Sequence, residues 1–221
     1  MDLIPADSLD GVTLADVEAL YTSSFPDRLR APFPDLLRDD VTVAVINGTL
    51  AGFAVSRDLA HTPWVFLRYF TVAARGRGLG TQLWRRLCRR WAAHGRSWVL
   101  LDVEDPDEPG IDHTDQTLRH RRVAFYRRLG VQVLPIRDYA PPHQTAAHPL
   151  RLLAADTRAA ATAPLHTAHL RDVVLTVYRH RYGLPADDPI VHRTLRSSGL
   201  LDTPHPQPNG DIADRARRTG P

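Results

Sequence analysis

The chain has 221 residues, 43% of them hydrophobic, and a formal net charge of +3. That is enough apolar material for one sizeable core, and arginines dispersed among 25 acidic residues do not favour a nucleic-acid-coating role. All 28 basic residues are arginine, which excludes Walker-type phosphate loops and enzymes that form a Schiff base through lysine, while the single cysteine, Cys88, excludes an internal disulfide and a multi-cysteine zinc site.

The first ten residues lack a basic stretch followed by a long apolar run, and no run of about 18 apolar residues occurs. No membrane partner is therefore expected, and a cytoplasmic location follows by default. Thr13 reads as the N-cap of a first helix over 13–25, stopped by Pro26, with a short second helix over 34–38. Residues 41–46 and 50–57 read as strands joined at Asn47-Gly48, a strong hairpin signal. A strand-like run, Trp64–Val72, leads into Arg75-Gly76-Arg77-Gly78-Leu79-Gly80 and then an amphipathic helix. Its apolar face carries Leu79, Leu83, Trp84, Leu87, Cys88 and Trp91, with Arg85, Arg86, Arg89 and Arg90 opposite.

Downstream, Trp98–Glu104 reads as a strand whose alternation puts Asp102 and Glu104 on one face and Val99, Leu101 and Val103 on the other. An acidic, proline-containing connection over 105–117 leads to a helix through Ala124-Phe125-Tyr126-Arg127-Arg128-Leu129-Gly130. Closing strands are expected over 131–134 and 150–153, then a helix over 163–182 and a proline-rich tail beyond residue 200. The expected organisation is a domain over 1–155, a helical extension over 156–200 packed on it or on a second copy in a homodimer, and a tail over 201–221.

The glycine-rich junction is an anion site by construction. A helix start leaves backbone N–H groups without partners and carries the positive end of the helix dipole. Gly76, Gly78 and Gly80 remove the Cβ atoms that would hold a pyrophosphate off those donors, and Arg75 and Arg77 add positive charge. A dinucleotide fingerprint is excluded because neither glycine pair is followed by glycine three positions on.

Arg75, Gly78 and Gly80 resemble the acetyl-CoA loop of the GNAT superfamily of N-acetyltransferases: Arg or Gln, two residues, Gly, one residue, then Gly or Ala. Tyr126 and Gly130 match the family's tyrosine and helix-ending glycine. The resemblance implies an α/β (α+β) fold with a central mixed, mostly antiparallel twisted sheet flanked by helices, here with a C-terminal helical extension. It also implies an amine acceptor and acetyl-CoA as acyl donor, or a longer acyl-CoA if the pantetheine channel opens; a metal is not indicated. Arg75, Gly76, Arg77, Gly78, Leu79, Gly80 and Thr81 would hold the pyrophosphate, and Phe70, Thr71 and Val72 would offer backbone groups to the pantetheine arm. Tyr126 would protonate the departing thiolate, as a phenol that is protonated at neutral pH can do. The chain departs from the family at Arg119, where asparagine is usual, at Val131 after Gly130, and in lacking a proline before the loop.

An alkylamine is mostly protonated near neutral pH, so some group must accept its proton. Glu104 is the first candidate for that base, with Asp102 and His113 in reserve. Tyr21, Phe25, Arg28, Arg30 and Phe33 are candidates to line the acceptor side, and the acidic connection is expected to attract a cationic acceptor. Two alternatives remain: a GNAT-fold module that binds CoA without turnover, and an arginine-rich nucleic-acid-binding protein.

Overall fold

The computed structural model describes residues 1–9, 11–142, 149–158 and 169–201. Among the described residues, seven strands form one sheet in the order β1-β2-β3-β4-β5-β7-β6. The strands are β1 (Asp2–Pro5), β2 (Asp40–Ile46), β3 (Thr49–Leu59), β4 (Trp64–Val72), β5 (Trp98–Glu104), β6 (Gln132–Val133) and β7 (Leu150–Asp156). Every neighbouring pair is antiparallel except β4 and β5, which are parallel and are joined by the crossover helix α3 (Leu79–Ala93). The β2–β3 hairpin turns where expected: Asn47 and Gly48 have φ of 51° and 74°, the two positive values that the tightest hairpin turn demands.

The sheet buries both faces. On one, α3 and α4 (His113–Arg128) cover a core of Val65, Leu67, Val99, Leu101 and Val103, with Leu83, Trp84, Leu87 and Val123 set into it. On the other, α1 (Gly11–Ser24) and α2 (Phe33–Leu36) cover β2 to β4 through Val17, Tyr21, Leu36, Phe53 and Tyr69. Beside them α5 (Leu170–Tyr182) and α6 (Pro189–Ser197) cover Phe66, Leu100, Leu152 and Ala154. Val173, Val174 and Val177 of α5 are wholly buried, each contributing about 1.5–3 kcal/mol, so this helix is held by the sheet rather than by its own propensity.

Several expectations shift. The first helix starts at Gly11, which puts Thr13 in its first turn rather than at its N-cap. The acidic connection is shorter than expected, because Asp112 caps α4 by accepting a hydrogen bond from the Asp115 N–H at 2.9 Å, which brings 113–117 into the helix. Strand β1 and helix α6 are additions. A four-residue strand has too few positions for a visible alternation, and α6 follows α5 after a six-residue break that begins at Gly183. The start of the helix expected over 163–182, and the tail from residue 202, lie outside the described residues.

Candidate functional site

The parallel pair β4 and β5 comes apart part-way along. Trp64 to Leu67 pair with Trp98 to Leu101, but among the described residues β4 beyond Leu67 pairs only with β3, and β5 beyond Leu101 only with β7. The cause lies in β4. Tyr69 pairs with Val55 and Leu67 with Ser56, so Arg68 is the extra residue of a bulge, which bends the strand away from β5. Residues 68–72 of β4 and 102–104 of β5 therefore face each other across a V-shaped gap. Phe70 and Val72 turn into the α3–α4 core, while Thr71 faces α1 and donates to Ser24 Oγ at 3.0 Å.

The glycine loop stands at the wide end of this gap. Gly76 and Gly78 have φ of 79° and 70°, Gly78 is the N-cap of α3, and Arg75 and Arg77 are exposed. A Cβ on Gly76 or Gly78 would meet open space, so glycine is needed there for the left-handed backbone rather than for clearance. Gly80 differs: a Cβ there would come within 3.1 Å of the Phe125 ring. Its bare backbone lets α4 approach the start of α3, a tertiary role the sequence reading does not supply. The N–H groups of Leu79, Gly80 and Thr81 occupy the first turn, where no intrahelical acceptor exists. The loop thus suits a pyrophosphate on backbone conformation, open amides and charge together.

Tyr126 lies under the gap on the α4 side, buried against Phe70, Trp84 and Phe125 at ring-centroid distances of 6.4, 5.6 and 5.2 Å. Burial raises its phenol pKa, Arg122 opposes the rise, and the charge of Asp102 adds to it. The group therefore stays protonated at neutral pH. Burial, with a smaller push from Asp156, raises the Cys88 thiol to about 12, which disfavours the thiolate that a nucleophile needs.

Glu104 sits at the end of β5 in a cage of guanidinium groups: Arg28 at 2.5 Å, Arg122 at 2.8 Å and Arg119 at 3.4 Å. Burial alone would raise its pKa, but the hydrogen bond and charge of Arg122, with the charges of Arg119 and Arg28, outweigh it and hold the carboxyl below its ordinary value. Such a carboxylate accepts protons less readily than a free one. Arg119, in place of the usual asparagine, is 4% exposed and also grips Glu108 at 2.5 Å, Asp115 at 2.9 Å and the Asp105 carbonyl at 3.0 Å. Arg151 holds Asp105 and Asp107 at 2.9 and 3.1 Å. The acidic connection is thus largely neutralised by the protein's own arginines, which leaves it less field with which to attract a cation.

Of the residues expected to line the acceptor side, Arg28 alone reaches across to β5. Tyr21, Phe25 and Phe33 form an aromatic cluster, with Tyr69 at 5.0 Å from both Tyr21 and Phe25, and Arg30 is tied to Asp27 and the Thr22 carbonyl. His113 opens α4 on its exposed side and has no contact with Glu104 or Tyr126 among the described interactions. Asp102 occupies the first β5 position past the last β4 pair, partly exposed, and accepts from the hydroxyls of Tyr139 at 3.1 Å and Tyr182 at 2.9 Å. Neither tyrosine carries a sequence signal, since one follows the short β6 and the other ends α5. A cavity of about 510 Å³ lined by Leu175, Arg179, His180 and Leu184 lies at the C-terminal end of α5, the end that carries Tyr182, but Tyr182 is not part of its lining.

The family model for the acetyltransferase (GNAT) family matches residues 14–131, more than half of the chain. The chain belongs to that family. Its structure is similar to that of a putative GNAT acetyltransferase from Bacteroides thetaiotaomicron, with a TM-score of 0.63 and 20% identity over 83% of this chain and 99% of the other. It is also similar to the aminoglycoside 6'-N-acetyltransferase from Enterococcus faecium (TM-score 0.56, 19% identity, 75% and 100% covered). An aminoglycoside 6'-N-acetyltransferase complexed with coenzyme A gives a TM-score of 0.55 at 18% identity, with 75% and 100% covered. No curated protein matches the sequence significantly. The GNAT model ends at residue 131, so Tyr139, Tyr182 and all of α5 and α6 lie beyond it.

Proposed function

We propose that this GNAT protein transfers the acetyl group of acetyl-CoA to an amine by direct attack of the amine nitrogen on the thioester carbonyl. The observation that carries the reading is the continuity of three features: a helix start with open amides and two left-handed glycines, the gap between β4 and β5, and a buried, protonated Tyr126 beside that gap. Residues 75–81 hold the pyrophosphate, the free edge of β4 at Phe70, Thr71 and Val72 receives the pantetheine arm, and Tyr126 protonates the leaving thiolate. Glu104, expected as the base, serves better as a fixed negative charge on the acceptor side, bridged by Arg28 to the segment after α1.

Acetyl-CoA at about 100 times its dissociation constant adds about 2.7 kcal/mol of stability to a protein that binds it, readable as a rise in melting temperature. Thiol release over a panel of amines then reads turnover; the panel comprises an aminoglycoside, a diamine, an arylalkylamine and an alanine-starting peptide. No stabilisation overturns the proposal. Stabilisation without thiol release favours a CoA-binding module instead, a reading supported by the Arg28–Glu104 bridge across the acceptor side.

A further inference from the structure

Resting on that reading, we propose that Asp102 is the group that takes the acceptor's proton, and that Tyr139 and Tyr182, from the segment and helix beyond the family model, are positioning residues that hold it for this task. Three observations converge. Asp102 is the first β5 residue past the last β4–β5 pair, so it lies at the apex of the gap. It is partly exposed, on the sheet face opposite Val103 and the α3–α4 core. Both tyrosine hydroxyls converge on the same oxygen, Oδ2, at 3.1 and 2.9 Å, and they lie 3.3 Å from each other, which leaves Oδ1 outside the clamp. Tyr126 belongs to the α3–α4 core on the other face of the sheet, beside Phe70 on the β4 side of the gap.

The environment makes Asp102 a better base than Glu104. Burial raises its carboxyl pKa, against the charge of Arg181, the two tyrosine hydrogen bonds and one from its own backbone N–H, which lower it. The groups facing it are Arg181, Tyr182 and Tyr178 from α5 and Tyr139 from the segment after β6, with Tyr126 from α4 on the other face of the sheet. In the step itself, one ammonium proton passes to Asp102 and the nitrogen lone pair forms the C–N bond. The second nitrogen proton leaves to solvent as the C–S bond breaks. Sulfur keeps the bonding electrons and takes the Tyr126 proton, Tyr126 is reprotonated from solvent, and Asp102 releases its proton there. The balance is one proton released per acetyl transferred.

The helical extension is thereby part of the catalytic site rather than a fold accessory. Its test compares Asp102→Asn, Tyr182→Phe and Tyr139→Phe with the parent protein, using the best amine of the panel. Asp102→Asn is expected to lower kcat/KM about 100- to 10,000-fold, with acetyl-CoA binding by thermal shift unchanged. Tyr182→Phe removes a hydrogen bond that lowers the Asp102 pKa, so the acidic limb of the kcat/KM profile should move to higher pH while the alkaline plateau stays within a few-fold. The amine's own pKa is common to both proteins, so the displacement isolates Asp102. A merely structural tyrosine would lower the melting temperature without moving the limb. An Asp102→Asn protein within twofold of the parent, or a limb that stays put in both tyrosine variants, overturns the proposal. If Asp102→Asn does not fold, the two tyrosine profiles decide alone. A chain that binds acetyl-CoA but acetylates no amine overturns the proton-acceptor role; one that does not bind acetyl-CoA overturns the proposed function beneath it.

Discussion

The donor and acceptor sides of this cleft are built by different means. The proposed donor side is a continuous stretch of chain: β4, a loop with two left-handed glycines and the first turn of α3 succeed one another from Trp64 to Thr81, and most of the groups it offers are backbone groups. The proposed acceptor side is assembled from side chains far apart in sequence. Arg28 meets Glu104 across 76 residues, and Tyr182 meets Asp102 across 80. A backbone site depends on glycines and local geometry and tolerates change in the surrounding side chains. A side-chain site depends on each partner being present, so single substitutions there should alter acceptor chemistry while leaving the donor loop intact.

The largest expected effect lies where the two sides meet. Tyr126→Phe should lower kcat roughly 100- to 10,000-fold with the acetyl-CoA dissociation constant nearly unchanged, and stopped-time thiol release checks it. Unchanged turnover would remove Tyr126 from the mechanism. Next comes the donor loop: Gly78→Ala forces a Cβ into a backbone with φ of 70°, costing about 1–2 kcal/mol, and should weaken acetyl-CoA binding with no effect on acceptor KM. Gly80→Ala should cost less and be relieved by Phe125→Leu, since the added methyl strikes that ring and not the backbone.

These contrasts follow how far each side is legible in the sequence. The donor loop announces itself through glycine spacing, the hairpin through Asn47-Gly48, and α3 through its apolar stripe. Each is a short-range pattern set by sterics or helical period. The acidic connection misleads for the opposite reason. Its carboxylates look unpaired in sequence, yet Arg119 and Arg151 neutralise most of them, and Arg119 is visible beforehand only as a departure from the family's asparagine.

Two smaller effects sharpen the acceptor side. The folded-state pKa of Glu104 is depressed, so its ion pairs stabilise the fold above the ordinary glutamate value, and that contribution is lost as pH falls through the lowered one. Glu104→Gln should flatten this part of the acid limb in urea-midpoint measurements against pH; an unchanged limb would show that the arginine cage does not hold the carboxylate ionised. The smallest effect is that of Arg28→Ala. With the Arg28 side chain 48% exposed, the loss of stability should be under about 1 kcal/mol, whereas acceptor KM should change and acetyl-CoA KM should not.

The sequence by itself determined the family, the strand–glycine loop–helix unit, the hairpin and the α/β class, because these depend on residues adjacent in the chain or spaced by a helical or strand period. Only the tertiary structure decided that Gly80 makes room for Phe125, that Glu104 is caged by three arginines, and that Asp102 is clamped by tyrosines from beyond the family model. Ion pairs, hydrogen bonds and close packing act across space with no regard to chain separation. They form only after the sheet has brought β5, α4 and α5 together.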